Sequence, residues 1–152
     1  MRPPAWSQIG RMSVLVAVGG SIGTAARACL ESVFPPPPGG LPWVTLVINV
    51  AGSFALGLIL ELLLRGGPDS GWRQALRLGC GTGVIGGFTT YSTFILEIDR
   101  LAREGALATA VGYTALSVGL GLVAAGTGIA TAIRIARHSR PAGSAGSAGP
   151  AR

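Results

Sequence analysis

GCGTGVIGGFTTYSTFILE, residues 79–97, carries two incompatible signals. Gly81, Gly83 and Gly86 spell G-x-G-x-x-G, which in an α/β domain follows a strand, opens a helix and holds a dinucleotide. Behind them Thr89, Thr90, Ser92 and Thr93 crowd four hydroxyls together, with Tyr91 among them and Glu97 beyond. In water such a cluster needs no explanation. In a bilayer each of its groups needs a partner. The surrounding solvent therefore decides the reading, and the flanking sequence identifies that solvent.

The chain has 152 residues, 49% hydrophobic and 12% charged. That charge content is about half of what a soluble domain carries. The mean hydropathy is +0.55, and the 25 glycines suit helices that pack closely in lipid. Four apolar segments stand out, centred within residues 12–33, 43–64, 73–103 and 106–135. Each is near or beyond the roughly 20 apolar residues that span a bilayer at 1.5 Å rise per residue. Pro35 to Pro38, then Gly39 and Gly40, break the chain between the first two, because a proline run cannot continue a helix. RGGPDSG (65–71) separates the second and third, and the stretch 99–105 the third and fourth. The reading is an all-α integral membrane protein with four transmembrane helices in a domain covering 1–137. The stretch 138–152, rich in Pro, Ala, Gly and Ser, is expected to be a low-complexity, disordered tail. Within this frame the dinucleotide motif fails, since no strand precedes it. The glycines instead weaken the third helix, which is expected to break near Gly86–Thr90. Irregular backbone at that depth is tolerated where it is buried in protein or lines a cavity.

The first segment has a rival reading. Arg2 and Arg11, an apolar run and Ala26-Arg27-Ala28 imitate a cleavable signal peptide. Gly19, Gly20 and Gly23 within the run, including a G-x-x-x-G pair, favour a retained, packed span. An even number of spans puts both termini on one side, together with nine arginines (Arg2, Arg11, Arg65, Arg73, Arg77, Arg134, Arg137, Arg140, Arg152), against Arg27, Arg100 and Arg103 on the other. Positive-inside bias then sets the termini in the cytoplasm. The same scatter of arginines between apolar runs explains the net charge of +6 without nucleic acid. Cys29 and Cys80 suggest neither a disulfide framework nor a metal site.

Several polar residues sit where lipid makes them costly. Asn49, the only asparagine in the chain, is either a helix–helix clamp or a pore-lining donor. Arg27, near the end of the first span, either snorkels to the interface or sets positive charge at the mouth of an anion pathway. Glu61 is within reach of Arg65 four residues on. Glu97 is an intramembrane carboxylate with Arg100 available as a partner. Tyr91 and Phe94 share a helix face, as packing or as ring edges that carry partial positive charge. Hydroxyls, an amide and ring edges all present that sign to an anion. Freed carbonyls at the glycine break are oxygen ligands suited to a small hard cation.

GGSIGTAAR (19–27), TLVINVAGSFALG (45–57) and GGFTTYSTFILE (86–97) resemble, in order and spacing, the signature segments of the Fluc/CrcB fluoride channels. The resemblance covers all four spans. It implies a fluoride-selective channel that gives passive efflux, and so fluoride resistance, in the plasma membrane of a bacterium. It also implies an antiparallel, dual-topology dimer with two pores. By that resemblance Asn49 is the pore asparagine, and Tyr91 and Phe94 turn their edges to fluoride. Ser92 and Thr93 form a polar track, and Arg27 and Glu97 match the family's arginine and glutamate. The backbone carbonyls of Gly86 and Thr89 would hold a structural sodium ion at the dimer centre. The chain departs from the pattern at Tyr91, where phenylalanine is usual, and in its nine-to-three arginine bias. That bias suits half of a pair of oppositely oriented paralogues better than a dual-topology homodimer.

No nucleophile–base pair or phosphate loop stands out, so no enzyme is expected. Two rival readings remain. A small multidrug-type, proton-coupled antiporter needs an embedded carboxylate, and here only Glu97 is placed to serve. A non-transporting structural subunit would pack by its glycine faces and leave the hydroxyl cluster unexplained.

Overall fold

The computed structural model describes residues 6–138. The tail assigned to 138–152 lies outside it from residue 139 onward. Helix α1 (Trp6–Val33) begins six residues before the apolar segment does and stops ahead of the proline run. Gly39, at φ +64°, turns the chain into α2 (Trp43–Arg65). The third segment is not one helix. It comprises α3 (Gly71–Leu76), a π-helical stretch (Arg77–Ile85), α4 (Gly86–Phe88), a non-helical break at residues 89–91, and α5 (Ser92–Arg103). Helix α6 (Leu107–His138) completes the described chain. Among the described residues there is no strand, so the all-helical expectation stands.

Three helices are long and apolar enough to cross a membrane: Gln8–Val33, Trp43–Arg65 and Leu107–His138. The third segment differs because its backbone is interrupted twice. From residue 77 to 85 the turns are widened to i→i+5, and the Gly86 N–H reaches back to the Gly81 carbonyl. Such π turns are rare and gather at functional sites. The glycines of GCGTG tolerate them because they bring no side chains to crowd the wider turn. Four residues later the helix stops altogether, close to the expected position.

Packing divides the chain into two parallel pairs. Helix α1 runs beside the π-helical stretch and α4, and α2 runs beside α6. Glycine lets the backbones touch in both pairs. A methyl group on Gly23 would strike the Val84 carbonyl, and one on Gly87 the Gly20 carbonyl; in the other pair, one on Gly57 would strike Ala125 and one on Gly128 Phe54. This is how membrane helices associate when water offers no hydrophobic drive between them. A small core of Phe94, Leu101, Ala110 and Tyr113 joins α5 to α6. At that end the Gly39 N–H donates to Glu104 Oε2 at 2.8 Å, and Arg100 Nε to Glu104 Oε1 at 2.8 Å. Together they hold the Glu104 carboxyl below its ordinary range. At the opposite end Arg77 pairs with Asp69 at 2.8 Å, and Arg65 with Glu61 as the sequence suggested. Large apolar side chains such as Val111 and Leu122 stay about 70% exposed on the single chain, as an integral membrane surface requires.

Gly23→Val should lower the melting temperature of the detergent-purified protein by the equivalent of about 1–3 kcal/mol or more, since its obstacle is backbone and cannot rotate away. Gly112→Ala, which meets nothing within 4 Å, should leave the melting temperature nearly unchanged. Equal effects from both would refute backbone contact as the basis of the α1 pairing.

Candidate functional site

The break at residues 89–91 strips Thr90 of its helical partners, and Asn49 replaces them. Asn49 Nδ2 donates to the Thr90 carbonyl at 2.9 Å, and its Oδ1 accepts the Thr90 N–H at 2.8 Å. The clamp reading of Asn49 is therefore present in the structure. It ties α2 to the interrupted third segment by two bonds from one amide. That amide has a second N–H, for which no acceptor is found among the described residues, and Asn49 lines a groove.

These bonds divert donors from other carbonyls. In an unbroken helix the Thr90 N–H would bond the Gly86 carbonyl; here it goes to Asn49. The Thr93 N–H would bond the Thr89 carbonyl, but it goes to Thr90 Oγ1 at 3.1 Å. Gly86 and Thr89, the two residues singled out for cation-binding carbonyls, are thus among those whose helical donors are diverted by the break. Gly87 is treated differently. Its carbonyl accepts from Thr24 Oγ1 and Arg27 Nε, each at 3.4 Å.

Arg27 is consequently not a free charge at a helix end. Its NH1 also bonds Glu31 Oε2 at 3.1 Å and Thr93 Oγ1 at 3.3 Å. The guanidinium joins α1, the break and α5, with its charge shared by Glu31. Thr93 Oγ1 also accepts from Thr90 Oγ1 at 3.1 Å, and Thr90 Oγ1 lies 3.2 Å from Ser92 Oγ. The Thr90, Ser92 and Thr93 hydroxyls form one hydrogen-bonded chain that caps α5, while Thr89 Oγ1 donates back to the Ile85 carbonyl at 2.9 Å.

Glu97 departs from the expected pairing. Arg100 is turned to Glu104, while Glu97 Oε1 accepts from Thr45 Oγ1 at 2.7 Å and Oε2 from the Tyr113 hydroxyl at 2.6 Å. Both neighbours are almost fully buried. The carboxylate is held by two hydroxyls from α2 and α6, a neutral cage in place of an ion pair.

Around these groups lie two cavities. The first, of about 310 Å³, is lined by Asn49, Gly52, Ser53, Leu56, Thr89, Thr90, Tyr91, Phe94, Ser117 and Val118. The second, of about 230 Å³, is lined by Glu31, Phe34, Pro36, Pro42, Val44, Thr45, Thr93, Glu97 and Arg100. Phe94 is 8% exposed and Tyr91 76%, with their ring centroids 6.2 Å apart. Phe94 also packs on Tyr113 at 5.2 Å. Asn49, Thr89, Tyr91 and Phe94 thus meet in one cavity, and Thr93 and Glu97 in the other. Arg27, Ser92 and Gly86 stand behind them in the break.

Sequence reasoning missed Thr24, Glu31, Thr45, Tyr113 and Ser117. The buried Ser117 hydroxyl makes no close hydrogen bond, although it lies one helical turn beyond Tyr113 on the side of the first cavity. The i, i+4 spacing of Tyr113 and Ser117 within an apolar span was the available signal.

Fold and site define a multi-pass helical membrane protein with its polar groups gathered at a break between two helix pairs. A family model described as CrcB-like protein, Camphor Resistance (CrcB), matches residues 14–129, and the chain belongs to that family. It is 46% identical over 121 residues to "Fluoride-specific ion channel FluC 2" of Leifsonia xyli subsp. xyli, covering 80% of this chain and 83% of the relative. It is 46% identical over 115 residues to "Fluoride-specific ion channel FluC" of Deinococcus radiodurans, covering 74% and 88%. To "Fluoride-specific ion channel FluC 1" of Cutibacterium acnes it is 42% identical over 111 residues, covering 73% and 78%. All three relatives are bacterial, and this chain is likewise read as a multi-pass bacterial membrane protein.

Asn49→Ala should destabilise the protein by about 1–3 kcal/mol for each Thr90 group left without a partner, read as a fall in melting temperature. Ser53→Ala, on the same cavity wall, removes no such bond and should melt close to wild type. A silent Asn49→Ala would mean that the break holds itself.

Proposed function

We propose that this chain is a subunit of a fluoride-selective channel that lets fluoride leave the cytoplasm down its electrochemical gradient. The observation that carries the reading is the set of unused donors in the first cavity. The second Asn49 N–H has no acceptor among the described residues, and Ser117 and the rings of Tyr91 and Phe94 line the same cavity. Fluoride is small and strongly hydrated, so a pore must replace its lost water with donors that do not trap it. An amide, a hydroxyl and ring edges meet that need. Thr93 Oγ1 accepts two hydrogen bonds, so its own proton is free to extend the path into the second cavity. Membership of the family and the names of the relatives support the same ion.

The cavity wall is open beside Tyr91, which supports an assembly in which a second subunit closes it. The proposed arrangement is an antiparallel dimer of four-span subunits, the interrupted segment 71–103 being the remaining crossing. The parallel pairing of α1 with the third segment and of α2 with α6 agrees with four crossings. The second subunit is either the same chain or an oppositely oriented paralogue, and the nine-to-three arginine bias favours the paralogue. The carbonyls of Gly86 and Thr89 fit a sodium ion because their helical donors are diverted. When bound, such an ion would supply fixed positive charge that favours anions over cations.

Tyr91 places a hydroxyl where the resemblance to the fluoride channels implies phenylalanine, adding one donor at the edge of the path. Glu97 has both oxygens engaged by hydroxyl donors, an arrangement that leaves it poorly placed to trade protons for a lipophilic cation. The antiporter reading therefore gains no support.

Liposomes loaded with fluoride and containing this chain alone should release it rapidly, as followed with a fluoride electrode, and should retain chloride. Phe94→Ile should abolish most of the flux, and Ser117→Ala should slow it several-fold while leaving the melting temperature near wild type. Silence from the chain alone, relieved by an oppositely oriented paralogue, would assign the heteromeric form. Silence from both would end the channel reading.

A further inference from the structure

Away from the break, at the end of the molecule that holds Arg11 and Arg73, a cleft of about 520 Å³ opens between the first turns of α1 and the start of α3. Its polar wall is made by Gln8 and Arg11, and its far wall by Trp72, which is 67% exposed. A second open groove of about 530 Å³ shares Arg11 and Leu15 with it and continues along Val14. One charged group therefore stands at the junction of an amphipathic cleft and an apolar channel that follows α1 into the bilayer.

Arg11 has no counterion among the described residues. The chain carries six acidic residues. Glu31, Glu61, Asp69, Asp99 and Glu104 are paired with Arg27, Arg65, Arg77, Arg103 and Arg100, and Glu97 is held by Thr45 and Tyr113. An arginine fork without a carboxylate suits a phosphate, which it can grip through two N–H groups. The depth is also right for one. The apolar run of α1 begins at Met12, immediately after Arg11. Trp72 stands at the same level with the Arg73 guanidinium 5.1 Å from its ring. Exposed tryptophan and arginine at a span end mark the headgroup layer.

We propose that this cleft binds an anionic phospholipid of the cytoplasmic leaflet. Arg11 takes the headgroup phosphate, Gln8 donates from its amide, Trp72 covers the glycerol region, and one acyl chain lies along Val14 and Leu15. The net negative charge of the lipid matters because Arg73, bonded to the Leu63 carbonyl and not to a carboxylate, adds positive potential on the same face. Basic recesses at span ends on the cytoplasmic side select anionic headgroups on these grounds.

The full chain, reconstituted in vesicles of equal phosphatidylglycerol and phosphatidylcholine and then extracted in mild detergent, should retain phosphatidylglycerol preferentially by native mass spectrometry. Arg11→Gln should reduce that preference roughly fivefold or more, with helicity by circular dichroism unchanged. Arg137→Gln, on the same face but outside the cleft, should leave it intact. Gln8→Glu, which sets a carboxylate against the phosphate, is the second variant and should show the same loss. Equal retention of both lipids by the wild type would overturn the site. So would an Arg137→Gln loss as large as that of Arg11→Gln, since binding would then be diffuse surface attraction.

Discussion

Everything distinctive in this molecule depends on one side-chain amide holding one peptide unit. Breaking a helix inside a bilayer leaves backbone groups that lipid cannot satisfy, at a cost of several kcal/mol each. Asn49 meets that constraint for Thr90 on both its N–H and its C=O. With the Thr90 peptide turned to α2, the chain can stop one helix and start another. Thr90 Oγ1 then caps α5, Tyr91 swings outward, Phe94 turns inward onto Tyr113, and Arg27 closes over the Gly87 carbonyl. One hydrogen of the Asn49 amide makes the clamp, and the other is the donor that the proposed function would use.

Glycine and the polar residues divide the labour between them. Glycine brings backbones together along α1 and along the α2–α6 seam, so the packing there is almost free of side chains. That closeness leaves little room for rearrangement and concentrates the polar side chains at the one place where the backbone departs from helix. The consequence is electrostatic as well as geometric. Most charges sit at the two ends in local ion pairs. The deeper cation, Arg27, is neutralised by Glu31, and Glu97 is solvated by two hydroxyl dipoles. A passing ion then meets dipoles rather than a tight counter-charge, which suits conduction better than capture.

Much of the fold was legible in the sequence because lipid imposes a length and a hydropathy on each helix, and because the proline run and the GCGTG glycines act locally. The helix break followed from glycine followed by hydroxyls. Contacts between distant elements were less legible. Nothing local to Glu97 says that its partners are Thr45 and Tyr113 rather than Arg100, three residues away and of opposite charge. The local pairing loses because Arg100 faces the loop, where Glu104 is nearer. Arg27 was read as a choice between interface and pathway, and the structure offers a third role, since the carbonyl it meets exists as an acceptor only because the helix is broken. The π-helical stretch likewise required knowing that α1 presses its backbone against those glycines.

The two helix pairs are each tightly joined, whereas the seam between them is thinner and crosses mainly at the break and the α5–α6 core. Mechanically, the subunit is two stiff ribbons pinned near their middle by Asn49. Thermal shear will collect in that seam, because regions with few packed contacts open at the lowest free energy. The cavity containing Tyr91 and Phe94 lies along the same line. Its width is therefore a compliant dimension of the protein, set by the play left around Asn49 and the two hydroxyl bonds to Glu97, while the length and tilt of the ribbons stay rigid.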